Sequence, residues 1–372
     1  MSNPKLSEPM PIDSTQLFKA ATNPLPGHGP TRSTKETLTD LATQLTGDES
    51  PDTYGTGEYL QAFEQKLATL FGKESAVFMP SGTMAQQIAL RVWCDENKNP
   101  TVAMHPSSHL EFAEHLGYQY LHNLRRIQFG SPEFVADRIL EPKDFHDLQQ
   151  VPGAALIELP YRPLGGILPG WENLTETRAW ADGHKVPMHL DGARIWQCRP
   201  FYEKSFEEIG ALFDSIYVSF YKDLGALPGC LLMGPESFIK TCRMWQRRYG
   251  GTLYTLAPNV ASAQIQMERV LPVIDDWVAK AKDIAAAFAA CDGVRVNPDP
   301  PHTNMFQLFI EGNAEALTEK HHELAEETGT FLFHSLRPAA VPGFAWTEVH
   351  VFENGARFDA STIAPFMDQL MG

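Results

Sequence analysis

The chain has 372 residues, 43% of them hydrophobic and 20% charged, with a formal net charge of −16. That length accommodates a large core and two or three domains, and the composition is that of a soluble globular protein. The negative charge excludes nucleic acid and anionic membranes as general partners, and no apolar run approaches the roughly 20 residues that a bilayer-spanning helix needs. Five scattered cysteines, Cys94, Cys198, Cys230, Cys242 and Cys291, form neither a disulfide framework nor a zinc site, so no metal is expected. Met1–Ala20 lacks an apolar signal core, and a cytoplasmic location is expected.

Residues 1–50 are rich in Pro, Thr and Ser, with Gly27-His28-Gly29-Pro30 as a breaker cluster before a polar helix from Lys35 to Leu45. A second helix fits Glu58 to Phe71, where Leu60, Phe63, Leu67, Leu70 and Phe71 recur at helical spacing and Gly72 ends the run. Strands are then expected at Ala76–Met79, Thr101–Met104, Ala154–Leu159, Val186–Leu190, Ser215–Ser219 and Cys230–Met233. Helices are expected at Met84–Trp93, Leu110–Tyr120, Leu174–Asp182, Ser237–Tyr249 and Asn259–Val270. Alternation of this kind implies an α/β fold with a mostly parallel sheet covered on both faces. After Ile274 the character changes. A helix from about Asp275 to Ala290 leads into strands at Val294–Val296, Met305–Ile310 and Val349–Phe352 around a helix at Ala314–Thr328, which reads as a small α+β C-terminal domain. The expected division is an N-terminal segment 1–50, a large domain 51–275 and a small domain 276–372.

Three segments carry the chemistry. In Met79-Pro80-Ser81-Gly82-Thr83 a strand gives way to a helix, whose first N–H groups lack internal partners and sit at the positive end of the helix dipole. Gly82 permits close approach of an anion and Thr83 adds a hydroxyl, which makes a phosphate cradle. Alone, the same residues read first as a plain Ser/Thr N-cap. In Met188-His189-Leu190-Asp191-Gly192-Ala193-Arg194 an apolar strand delivers an acid at its C-terminal end, where open α/β sheets place ligands. Asp191 could pair with a protonated pyridine nitrogen, and Arg194 could grip a carboxylate bidentately. In Tyr217-Val218-Ser219-Phe220-Tyr221-Lys222-Asp223-Leu224-Gly225 a lysine lies just past an apolar strand. Burial there would favour the neutral amine that Schiff-base formation requires. Cradle, acid and lysine occur in the order that pyridoxal phosphate demands, with Lys222 following Asp191 by 31 residues.

From about Gly47 to Gly251 the sequence resembles the threonine aldolase and β-eliminating lyase family. Tyr54-Gly55-Thr56-Gly57, Pro80-Ser81-Gly82-Thr83-Met84, His189-Leu190-Asp191-Gly192-Ala193-Arg194-Ile195 and Lys222 with Leu224-Gly225-Ala226 carry the match. The resemblance implies the fold type I, transferase-like architecture of pyridoxal-phosphate enzymes, with a mostly parallel seven-stranded sheet. It implies a Schiff base at Lys222, ring-nitrogen pairing by Asp191, and phosphate contacts from Ser81, Gly82, Thr83 and, from a neighbouring subunit, Arg247 beside Gly250-Gly251. It further implies His109 stacked on the cofactor ring and Arg194, beside the cofactor, on the substrate carboxylate. His105, His115, Glu111 and Glu114 lie near His109 and are not ranked as proton acceptors. The chain departs from the family at Gly27-His28-Gly29, at Tyr254, near Trp346, and at Tyr221 and Asp223 beside the lysine, so recognition of the substrate side chain is expected to differ from that of threonine. The activity implied is retro-aldol cleavage of a β-hydroxy-α-amino acid by a homodimer or homotetramer. The alternatives are β-elimination, transamination, a non-catalytic module that binds pyridoxal phosphate, and an α/β protein without a cofactor.

Overall fold

The computed structural model describes residues 14–29, 31–127, 129 and 138–372, so residues 1–13 and Pro30 of the N-terminal segment lie outside it. The chain divides into two compact units, Arg32–Val278 and a second assembled from Met1–Thr31 with Ala279–Gly372.

The first unit is built on seven strands: β1 (Ser75–Met79), β2 (Thr101–Ala103), β3 (Arg125–Ile127), β4 (Ala154–Glu158), β5 (Met188–Gly192), β6 (Ser215–Ser219) and β7 (Cys230–Gly234). Their order across the sheet is β1-β7-β6-β5-β4-β2-β3. Every strand but β7 runs the same way, because β7 pairs antiparallel with both β1 and β6 while the remaining pairs are parallel. The expected fold class is therefore the observed one. β4 to β7 are buried along their whole length, as an apolar strand covered on both faces must be.

Alternation along the strands sorts side chains between the two faces. On one, Val77 and Met79 pack with Ile88 and Val92 of helix α2 (Gly82–Glu96) and with Phe238, Ile239 and Cys242 of a later helix, Glu236–Arg248. On the other, Phe78 stacks on Phe220 at 5.9 Å, and Phe63 of helix α1 (Glu58–Leu70) meets Phe220 at 5.5 Å. A buried polar run crosses the first layer. Trp93 Nε1–H donates to Ser215 Oγ at 2.8 Å, Ser215 bonds His189 Nδ1 at 2.7 Å, and His189 Nε2 bonds Gln86 Oε1 at 2.7 Å.

Three expectations about elements are corrected. Leu110–Tyr120 is not one helix but two, α3 (His109–Phe112) and α4 (Gly117–His122). Between them His115 and Leu116 turn left-handed with φ of 49° and 57°, and Glu114 turns inward. The edge strand β3 was not anticipated; its alternation is too short to register, and its pairing with β2 defines it. In the second unit, β8 (Val294–Asn297), β9 (Met305–Glu311), β10 (Arg337–Pro338) and β11 (Phe344–His350) form an antiparallel sheet of order β10-β11-β9-β8. The strand expected at Val349–Phe352 thus starts at Phe344 and ends at His350, since full pairing with β9, from Met305 opposite His350 to Glu311 opposite Phe344, sets its length. The helix Ala314–Thr328 has the expected bounds, capped by Asn313, whose Oδ1 accepts from the N–H groups of Glu315 and Ala316. Among the described residues no helix is long and apolar enough to cross a membrane.

Candidate active site

The six co-directional strands end at one edge of the sheet, and the chemistry-bearing residues follow those ends. β1 leads through Ser81 into α2, β4 ends on Glu158, β5 carries Asp191, and β6 leads to Lys222. Ser81 sits in the N-cap position of α2 with extended backbone, yet its hydroxyl makes no capping bond. The plain N-cap reading of that turn therefore does not describe this residue. A Cβ on Gly82, in the first turn of α2, would come within 2.1 Å of the hydroxyl of Tyr217, a side chain from the middle of β6. Glycine is what lets this turn close onto β6. At the lysine, Gly225 closes the turn by donating to Lys222 O at 3.3 Å with φ of +70°, a left-handed conformation that glycine adopts without strain.

Lys222, Asp191, His109 and Arg194 line one cleft, together with Glu158, Arg162 and Phe112. Burial lowers the Lys222 ammonium from its usual range, with Asp191 pulling the other way. The carboxyl of Asp191, itself buried, is raised by burial and lowered by Lys222, and its Oδ1 accepts from Ala193 N–H at 3.0 Å. Glu158 is pushed up to about 8, first by burial and then by the neighbouring carboxylate of Asp191. Its Oε1 accepts the backbone N–H of His109 at 3.0 Å. The imidazole of His109 bonds Glu114 Oε1 through Nδ1 at 3.0 Å, and Glu114 is held in turn by Gln87 Nε2 of α2 at 3.1 Å.

The other groups near His109 are engaged elsewhere. His105 bonds the Arg138 carbonyl and Ser107, Glu111 pairs with Arg126 and the Tyr118 hydroxyl, and His115 is exposed. Glu114 is the one that reaches the ring. Ser81, Gly82 and Thr83 lie at the same sheet edge but outside the lining of the cleft. Arg247 is not brought to the cleft by this chain: it is exposed at the end of Glu236–Arg248, with its guanidinium 5.0 Å over the Tyr54 ring. Tyr254 meets the same ring edge-on at 5.5 Å. Two further points of departure lie in the second unit, where His28 stacks on Phe352 at 3.9 Å and Arg337 lies 5.9 Å over Trp346.

Sequence reasoning missed Glu158, although it shares the signal that revealed Asp191, an acid at the end of an apolar strand. It named Asp223 only as a departure. In the structure Asp223 is fully buried and lies 3.7 Å from Arg194. The donor set fits pyridoxal phosphate. The buried carboxylate of Asp191 favours a cationic partner, which a protonated pyridine nitrogen is, and a buried lysine held toward its neutral form stands beside it.

A solved structure from Listeria monocytogenes, provisionally designated an L-allo-threonine aldolase, superposes with a TM-score of 0.90 at 36% identity, covering 96% of this chain and 98% of that one. The low-specificity L-threonine aldolase 1 of Arabidopsis thaliana is 27% identical over 76% of this chain and 80% of its own length. The low specificity L-threonine aldolase of Escherichia coli K12 is 28% identical over 78% of this chain and 85% of its own length. The model of the β-eliminating lyase family matches residues 30–311, most of the chain, and the protein belongs to that family.

Proposed function

We propose that the protein cleaves the Cα–Cβ bond of a β-hydroxy-α-amino acid, releasing an aldehyde and glycine or a related amino acid. It is a lyase dependent on pyridoxal phosphate. The observation that carries the reading is the convergence of Lys222, Asp191, His109 and Arg194 on one cleft. When bound, pyridoxal phosphate supplies an electron sink conjugated to the substrate α-carbon. Lys222 would hold it through the neutral amine, Asp191 would pair with its ring nitrogen and keep that nitrogen protonated, and His109 would lie against the ring. Ser81, Gly82 and Thr83 would take the phosphate on the first turn of α2, joined by Arg247 of a neighbouring subunit.

Arg194, bordering the cofactor, binds the substrate α-carboxylate and so orients the bond to be broken. With Nδ1–H donated to Glu114, His109 keeps Nε2 as an acceptor for the β-hydroxyl proton. The same residues serve β-elimination, the reaction for which the family is named, when the β-substituent is a leaving group and the Lys222 amine takes the α-proton. We read the protein as a cytoplasmic homodimer or homotetramer of amino acid metabolism, with its sites at a two-fold interface.

The test is a panel of β-hydroxy amino acids, both enantiomers of each, assayed for aldehyde release by wild type and Lys222→Ala. At least one substrate yields aldehyde, and the variant loses the rate by roughly a thousandfold or more. Equal rates in the two proteins would sink the assignment of Lys222. Ammonia and a keto acid in place of aldehyde would turn the reading to elimination.

A further inference from the structure

Asp223 follows Lys222 directly and is fully buried. Its Oδ2 accepts from Gln197 Nε2 at 3.1 Å. Its Oδ1 faces Arg194 Nε across 3.7 Å, and neither of these two buried atoms has a hydrogen-bond partner. A buried carboxylate is costly unless a cation answers it, and here that cation is a residue of the cleft lining. At 3.7 Å the attraction is coulombic and falls short of a hydrogen bond. Arg194 is therefore held by the Nε edge of its guanidinium. Its two terminal nitrogens make no hydrogen bond or ion pair among the described residues, and they form the fork that a carboxylate takes bidentately.

We propose that Asp223 is a positioning residue for substrate recognition: anchored by Gln197, it fixes Arg194 by its Nε edge so that the terminal fork is presented to the α-carboxylate of an amino acid in the cleft. The inference rests on the assignment of Arg194 as the carboxylate site. Burial raises the Asp223 carboxyl to about 6 while Arg194 pulls it down, so the carboxylate is anionic at neutral pH. Lys222 also feels Asp223, and an effect through the lysine must be told apart from one through Arg194. The ligand makes the distinction. Glycine and methylamine both present an amine to the cofactor, and glycine alone presents a carboxylate to Arg194.

The experiment measures glycine and methylamine affinities by the cofactor's absorbance change in the holoenzymes of wild type, Asp223→Asn, Arg194→Gln and the double variant, with far-UV circular dichroism as the check on folding. Expected for Asp223→Asn is a roughly tenfold loss of glycine affinity with methylamine unchanged to within about twofold. Arg194→Gln loses at least as much for glycine, and the double variant loses no more than Arg194→Gln, because the two residues act as one unit. Equal weakening of both ligands, or full additivity in the double variant, overturns the proposal. If Arg194→Gln weakens glycine and Asp223→Asn does not, this inference alone falls. If Arg194→Gln leaves glycine binding unchanged, the assignment of Arg194 falls with it. Should Asp223→Asn fail to fold, Gln197→Ala, which releases Oδ2, is read in the same way: a loss confined to glycine supports the proposal, and no loss or an equal one contradicts it.

Discussion

Burial decides the charge of the two carboxyls in the cleft, and Glu158 is where that can be measured. With its carboxyl pushed up to about 8, Glu158 is neutral at pH 7 and gains its charge as the pH rises through that value. Ionisation then sets a second anion beside Asp191 and disturbs the ring-nitrogen partner. We expect the wild-type rate to fall as pH rises past about 8. Glu158→Gln, which mimics the neutral acid and still offers an oxygen to the His109 N–H, should keep its rate at pH 7 and lose that descending limb. A pH profile of kcat/KM for the two proteins checks this, and an unchanged limb in the variant would remove Glu158 from the account. At this scale the sequence was informative about Lys222, Asp191 and Arg194, since each sits at a fixed offset from a strand end. The partners of His109 were not legible. Four acidic or basic side chains lie within a few residues of it, and only the break between α3 and α4 selects Glu114.

Between elements, the buried polar run from Trp93 through Ser215 and His189 to Gln86 pins α2 onto β5 and β6. His189 is fully buried, and burial lowers its pKa to about 3. In the unfolded chain a histidine takes its proton near 6.5. Below that value the unfolded state binds the extra proton and the folded state does not, so this group favours the native state above pH 6.5 and loses that contribution as pH falls toward 3. The loss is roughly 3 kcal/mol between pH 6.5 and pH 4, at about 1.4 kcal/mol per unit. Urea unfolding over this range should show the slope in wild type and a shallower one in His189→Gln, and identical slopes would mean that other groups carry the acid sensitivity. Helices with strong periodicity, such as Glu58–Leu70 and Ala314–Thr328, were readable within a residue or two. Edge strand β3 and the left-handed turn at His115 and Leu116 were not, because partners distant in sequence impose them.

On the scale of the whole molecule, the position of Arg247 bears on assembly. Its side chain is exposed and rests on Tyr54, away from the cleft of its own chain. If it completes the phosphate site of a neighbour, Lys222→Ala and Arg247→Ala proteins should each be impaired as pure oligomers and recover activity when unfolded together and reassembled. In a mixed pair, one site then holds both Lys222 and a wild-type Arg247 from the partner, while the other holds neither. Recovery of more activity than the two pure proteins contribute supports a shared site; none would place Arg247 in its own subunit's chemistry or in no chemistry at all.

The amino-acid sequence by itself determined the alternation of apolar strands and amphipathic helices, and with it the α/β class and the family. It also placed the acid and the lysine at the ends of two consecutive strands and Gly82 at a strand-to-helix turn, because strand period, helix period and Gly-bearing turns are local properties. Tertiary structure alone decided that β7 runs against its neighbours, that Glu158 joins Asp191, that Glu114 takes His109, and that Asp223 faces Arg194. Each of those is a meeting of residues brought together across the sheet or a turn, and its energy depends on burial, which no local stretch of sequence specifies.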